Sequence, residues 1–226
     1  MPTHLSTHLS TTALRDEICR VGRSLFERGY VHATAGNISA RLADGYLITP
    51  TDSCLGDLDP QRLAKVDEAL THVSGDRPSK TIALHRRIYE SDPAALCVIH
   101  THSTHLVALT LQGAWHPEDI VPPITPYYVM KVGHTPLIAY RRPGDPEVPE
   151  LVAATIARFA ARGTPIRAVM LERLGPNVWH DSPANAMAVL EELEETAKLW
   201  LLTQRTARPL SEDAIEQLRR AFGARW

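Results

Sequence analysis

The chain has 226 residues, 44% hydrophobic and 22% charged, which suits one folded domain with a sizeable core. A formal net charge of -2 without any Lys/Arg-rich run gives no electrostatic basis for nucleic acid or an anionic membrane as partner. No apolar run reaches the roughly 20 residues of a membrane span, and the polar start lacks the build of a signal peptide, so we expect a cytoplasmic protein with a loose segment over 1–12 and a single domain over 13–226.

Leu14, Ile18, Val21 and Leu25 share one helical face, Thr12 suits the cap and Gly29 the stop, which predicts a first helix. Residues 37–42 and 46–50 read as strands flanking Asp44-Gly45, a pair suited to a tight hairpin. A helix over 81–89, a buried strand over 96–102 and a short helix over 103–111 follow. Pro122 to Pro126 form a loop, then come a strand over 135–140 and a second loop over 141–149 with three prolines and a glycine. A helix over 148–161 precedes strands at 167–171 and 177–179 around a Gly175-Pro176 turn. A long helix over 183–203 carries Ala186, Val189, Leu190, Leu193, Ala197 and Trp200 on one face, and Ser211 caps a last helix over 212–222. A hairpin combined with strand-helix alternation predicts an α/β fold, a three-layer α/β/α sandwich around a mostly antiparallel central sheet. No Gly-x-Gly-x-x-Gly or Gly-x-x-x-x-Gly-Lys-Ser/Thr fingerprint occurs. Cys19, Cys54 and Cys97 are odd in number and widely spaced, which indicates neither a disulfide framework nor a thiolate zinc site.

His100-Thr101-His102 ends the most apolar strand, where period-two alternation sends both imidazoles to one face of the sheet. Two imidazoles on one face suit a metal, which needs about three protein ligands for catalysis; ordinary hydrogen-bonded histidines are the equal alternative in a chain with eleven. Thr34-Ala35-Gly36-Asn37 reads either as an anion cradle or as a simple left-handed turn. Thr51 ends the hairpin with a hydroxyl, and Ser79-Lys80 precede a helix whose N-terminus attracts negative charge; each also reads as a solvated turn or cap.

The stretches 33–39, 47–51, 78–80, 100–103 and 191–198, in this order, resemble the class II aldolase/adducin family over nearly the whole chain. Ser53-Cys54-Leu55-Gly56, Leu58-Asp59-Pro60, Thr125-Pro126-Tyr127-Tyr128-Val129-Met130 and Pro143-Gly144-Asp145 look most like its 3-oxo-tetronate 4-phosphate decarboxylase branch, and the chain is also similar to L-fuculose-phosphate aldolases. The resemblance implies a sandwich fold, a divalent metal, usually zinc, and a homotetramer with active sites between subunits. It carries His100 and His102 over as metal ligands, and Asn37, Thr51 and Ser79, joined by Thr34 and Lys80, as contacts to the phosphate of a sugar-phosphate substrate.

Two departures stand out. The family's acid/base Glu is replaced by Thr81, whose hydroxyl does not take up a proton near neutrality. The family's third metal-binding His, in a His-Gly-Pro turn, is replaced by Leu174. Metal binding is then expected to be weak, with His105 or His180 as substitute ligands and water, Tyr127 or Tyr128 as the proton donor, either tyrosine reaching a neighbouring subunit's site. The leading expectation is a metal-dependent lyase that decarboxylates a 3-oxo-tetronate 4-phosphate. Its alternative is a non-catalytic homologue used for ligand binding or protein contacts.

Overall fold

In the computed structural model, which describes residues 10–226, the chain opens on α1 (Thr11–Glu27). Ser10 caps it, its hydroxyl accepting from the Ala13 N–H at 3.2 Å, so the cap lies two residues before the expected Thr12. Of the loose segment expected over 1–12, residues 1–9 lie outside the described residues, and Thr11 and Thr12 are helical.

A two-residue turn at Ala43-Asp44 joins β1 (Asn37–Leu42) to β2 (Gly45–Ile48). Two short strands not foreseen from the sequence, β3 (Ala64–Val66) and β4 (His72–Ser74), extend this edge of the sheet. The chain continues through α2 (Ile82–Ser91), β5 (Cys97–His100) and α3 (Thr104–Gln112), then a single π-helical turn at Tyr128–Val132. The strand expected over 135–140 is only β6 (Leu137–Ile138). After α4 (Val148–Ala161) come β7 (Ala168–Leu171), β8 (Gly175–His180), α5 (Pro183–Leu202) and α6 (Glu212–Phe222), the last capped by Ser211 as expected.

One eight-stranded sheet results, in the order β4-β3-β2-β1-β5-β8-β7-β6, with every pair antiparallel except β6-β7. Alternation along the strands builds two cores. Ile38, Ala40, Cys97, Ile99, Met170 and Val178 pack against α1, α3 and α5. Ile48, Val66, Val98, Val169 and Trp179 pack against α2 and α4 on the other face. The fold is therefore the expected α/β/α sandwich. Among the described residues no helix is long and apolar enough to cross a membrane.

The expected Gly175-Pro176 turn is displaced. The turn consists of Glu172, Arg173 and Leu174, with Arg173 at φ 64°, and Gly175 and Pro176 already belong to β8. Gly175 is needed for a different reason: at φ 134°, a Cβ on it would lie 1.9 Å from the Thr101 carbonyl oxygen. Gly36, at φ 84°, is pressed from the other side against the His100 carbonyl oxygen, 2.9 Å from where its Cβ would stand. Two glycines thus clamp the end of β5.

Beneath that end, on the α2/α4 face, buried His85 shares a hydrogen bond between Nδ1 and the Ser39 hydroxyl at 2.7 Å, and Ser39 in turn pairs with the Tyr89 hydroxyl at 2.7 Å. Burial pushes the His85 imidazole down to about 3, with the neighbouring His100 adding to the effect. In the unfolded chain the same ring titrates near 6.5. Between those values the unfolded state binds more protons, so stability falls as pH falls, by up to about 1.4 kcal/mol per pH unit. Urea unfolding at pH 7, 6 and 5 is expected to show a pH 6 to 5 loss about 1 kcal/mol larger in the native sequence than in His85→Gln; equal losses would contradict the assignment. Gly175→Ala is expected to lower the unfolding free energy by about 1–3 kcal/mol, read from the same titration at pH 7.

Candidate active site

Antiparallel register places Asn37 of β1 and Asn177 of β8 on either side of His100, all three buried on the α2/α4 face. This polar row interrupts an otherwise apolar surface. The His100 Nδ1 lies 2.9 Å from the Pro176 carbonyl oxygen. A carbonyl only accepts, so Nδ1 carries the proton and Nε2 keeps its lone pair. Burial, then the neighbouring His102, push His100 down to about 4, and burial lowers His102 as well, so both rings are neutral at physiological pH.

The strand ends at His100, and strand alternation does not extend to His102 as expected. The rings nevertheless meet, with centroids 5.1 Å apart and planes at 69°. His32, unmarked in the sequence, stands edge-on to His102 at 6.3 Å. Around the row, Asn37 Oδ1, both amide atoms of Asn177 and His85 Nε2 are buried without a partner. Unpartnered buried polar atoms cost about 1–3 kcal/mol each, so stability alone does not explain them.

His100 and His102 open into a cavity of about 690 Å³. Thr34 lines it from the turn before β1, Asn37 from the first position of β1, and Thr51 from the loop after β2. Ser79, Lys80 and Thr81 line it from the start of α2. The two loops are tied together: the Thr51 N–H donates to the Arg77 carbonyl at 2.9 Å and the Ser79 N–H to the Thr49 carbonyl at 3.3 Å. Helix α2 has no side-chain cap, because the Thr81 hydroxyl pairs with the Ser79 hydroxyl at 2.9 Å. The helix N-terminus and Lys80 together make this end of the cavity attractive to an anion. Arg142, in the proline-rich loop before α4, adds a second cation to the wall. The sequence marked that loop only by its breakers; the paired Arg141-Arg142 before Pro-Gly-Asp was the available signal.

The residues present do not fit a three-ligand metal centre. Among the described residues no group of three His, Cys, Asp or Glu is placed to hold a metal ion. Leu174 and Thr81 line the same cavity as the imidazole pair and offer no anionic or imidazole donor. The substitutes considered from the sequence lie elsewhere. The His105 Nδ1 bonds Glu194 Oε1 at 2.7 Å, as part of a carboxylate cap on α3 that also accepts the N–H groups of His105 and Leu106. His180, at the opposite end of β8, is held by Asp181 at 2.7 Å and Arg167 at 3.0 Å.

Tyr128, expected as a proton donor, is fully buried in the core on the α1/α3/α5 side, its hydroxyl donating to Thr135 at 3.4 Å and its pKa raised by burial. It cannot reach this cavity, because the π-helical turn directs it inward. Tyr127 is 59% exposed and does not line the cavity of its own protomer.

The description of the Class II Aldolase and Adducin N-terminal domain matches residues 16–201. A Cupriavidus necator protein named 3-oxo-tetronate 4-phosphate decarboxylase is 59% identical over 218 residues, covering 94% of this chain and 97% of its own. An Escherichia coli K12 protein of the same name is 43% identical over 209 residues, covering 92% and 95%. The crystal structure of YgbL from Escherichia coli superposes with a TM-score of 0.84 at 42% identity, covering 92% of this chain and 99% of that one. With this sheet order, this cavity and these matches, the chain belongs to the class II aldolase and adducin family.

Proposed function

We propose that this chain is a lyase that decarboxylates a 3-oxo-tetronate 4-phosphate. The observation that carries this reading is a single cavity joining the anion-attracting start of α2 to the His100–His102 imidazole pair, in which His100 is fixed by the Pro176 carbonyl. The 59% identity to a protein named for that activity supports the choice of substrate. Thr34, Asn37, Thr51, Ser79 and Lys80 hold the phosphate, which anchors the β-keto acid with its reacting carbons toward His100.

In such an acid the C1–C2 bond breaks heterolytically and carbon dioxide leaves. The bonding pair forms the C2–C3 double bond of an enolate, with the charge on the former keto oxygen. Water then supplies a proton to C2, which leaves a hydroxy-ketone phosphate. No base removes a proton at any point, so Thr81 in place of a carboxylate is compatible with turnover. Lys80 and Arg142 offset the substrate's negative charge, and the low dielectric of the cavity strengthens their effect. The same reading includes a homotetramer in the cytoplasm, with exposed Tyr127 directed toward a neighbouring subunit's cavity, and a divalent metal, zinc, bound weakly by His100 and His102.

Thr81 and Leu174 favour a second reading, a family member that binds the ligand without turnover. Carbon dioxide release from 3-oxo-tetronate 4-phosphate separates the two: the lyase releases it, and Ser79→Ala and Lys80→Ala each raise KM about tenfold with a smaller change in kcat. Binding of the substrate without release would establish the second reading. Zinc titration provides an independent check. Leu174→His combined with Thr81→Glu is expected to tighten zinc binding by about tenfold or more; unchanged affinity would mean that the two imidazoles do not face a common ion position.

A further inference from the structure

Building on the decarboxylase reading above, we infer that Asn177 is the residue that recognises the α-hydroxy-ketone of the substrate, and so sets specificity for a 2-hydroxy-3-keto acid phosphate over its deoxy analogue. Asn177 is fully buried in β8, is the register partner of His100, and lines the cavity. Both Oδ1 and Nδ2 lack a hydrogen-bond partner.

The chemistry of the orphaned pair identifies its ligand. An amide presents one acceptor beside a donor group. A phosphate or carboxylate offers only acceptors and would leave Oδ1 unsatisfied. A hydroxyl beside a ketone offers one donor and one acceptor on adjacent carbons, which the amide meets side by side: Oδ1 accepts from the hydroxyl and Nδ2 donates to the keto oxygen. The phosphate-binding residues Thr51, Ser79 and Lys80 approach from the other loops of the cavity. Asn177 flanks His100 on the side opposite Asn37, the one phosphate-holding residue in this row. Val169, its neighbour on β7, supplies no competing polar group.

Sites built to hydrogen-bond a hydroxyl reject analogues that lack it, because the protein's polar atoms are then left unpaired. Loss of carbon dioxide from a 3-oxo-tetronate 4-phosphate leaves dihydroxyacetone phosphate, which keeps the hydroxy-ketone and the phosphate. Acetonyl phosphate lacks only the hydroxyl. Isothermal titration of the full chain with each compound, and with inorganic phosphate, tests the assignment without requiring turnover. The native protein is expected to bind dihydroxyacetone phosphate at least about tenfold tighter than acetonyl phosphate. Asn177→Ala and Asn177→Leu are expected to abolish that preference while leaving inorganic phosphate binding unchanged. The leucine variant fills the buried volume and guards against a collapsed site. A preference retained in both variants, or absent from the native protein, overturns the role of Asn177 and leaves the decarboxylase reading standing. Failure of the native protein to bind either organic phosphate overturns both.

Discussion

The hydrogen bond from His100 Nδ1 to the Pro176 carbonyl is the contact on which the site depends. It decides which nitrogen carries the proton, and so what the ring can do with a ligand. The bond exists because β5 and β8 run antiparallel in a register that sets His100 opposite Asn177. That register in turn needs the start of β8 to lie against Thr101, an approach that only Gly175 permits. The backbone of one strand therefore fixes the chemistry of a side chain on the next, and Gly36 secures the same segment from the β1 side.

The α2/α4 face of the sheet shows how stability and function divide the same surface. Toward one end it is ordinary core, with Val98 and Trp179 buried under the helices. At the other end Asn37, His100 and Asn177 occupy positions that apolar residues would fill at lower cost. His85, Ser39 and Tyr89 continue the polar character below this row with two short hydrogen bonds. A fully satisfied network of this kind would rigidify the site; the open valences of Asn37 and Asn177, which line the cavity, are ones that an occupant of the cavity could fill.

Much of the scaffold was legible because its signals are local. The helices at 148–161 and 212–222 follow from apolar spacing and caps, and the hairpin follows from two short strands and a turn. The edge strands β3 and β4 were not legible, since three residues each are too few to show a period and the outer strand is exposed. The site was legible in part. His100, Ser79 and Lys80 stand out as residue types in suggestive places, and they do line one cavity. Tyr128 was misleading because nothing in the sequence tells it from Tyr127, and it is Tyr128 that the π-helical turn carries into the core. Asn177 was passed over as part of a strand, although an amide between Pro176 and Val178 on a buried strand was a signal that alternation would have aimed toward His100.

The two departures from the family pattern share a physical logic. Aldol cleavage needs a proton removed from a hydroxyl before the carbon–carbon bond opens, which places a base at the centre of the reaction. A β-keto acid already holds its leaving group as a carboxylate, and the electron pair it releases has a ketone to enter. The demand shifts from taking a proton to tolerating negative charge on one oxygen. Thr81 does not serve the first demand, and Leu174 removes a ligand rather than a positive charge. What the cavity retains is an anion-binding end formed by α2 and Lys80, a second cation at Arg142, and buried amides beside a neutral imidazole. In the decarboxylase reading proposed above those are the groups the reaction uses, and neither Thr81 nor Leu174 takes one of them away.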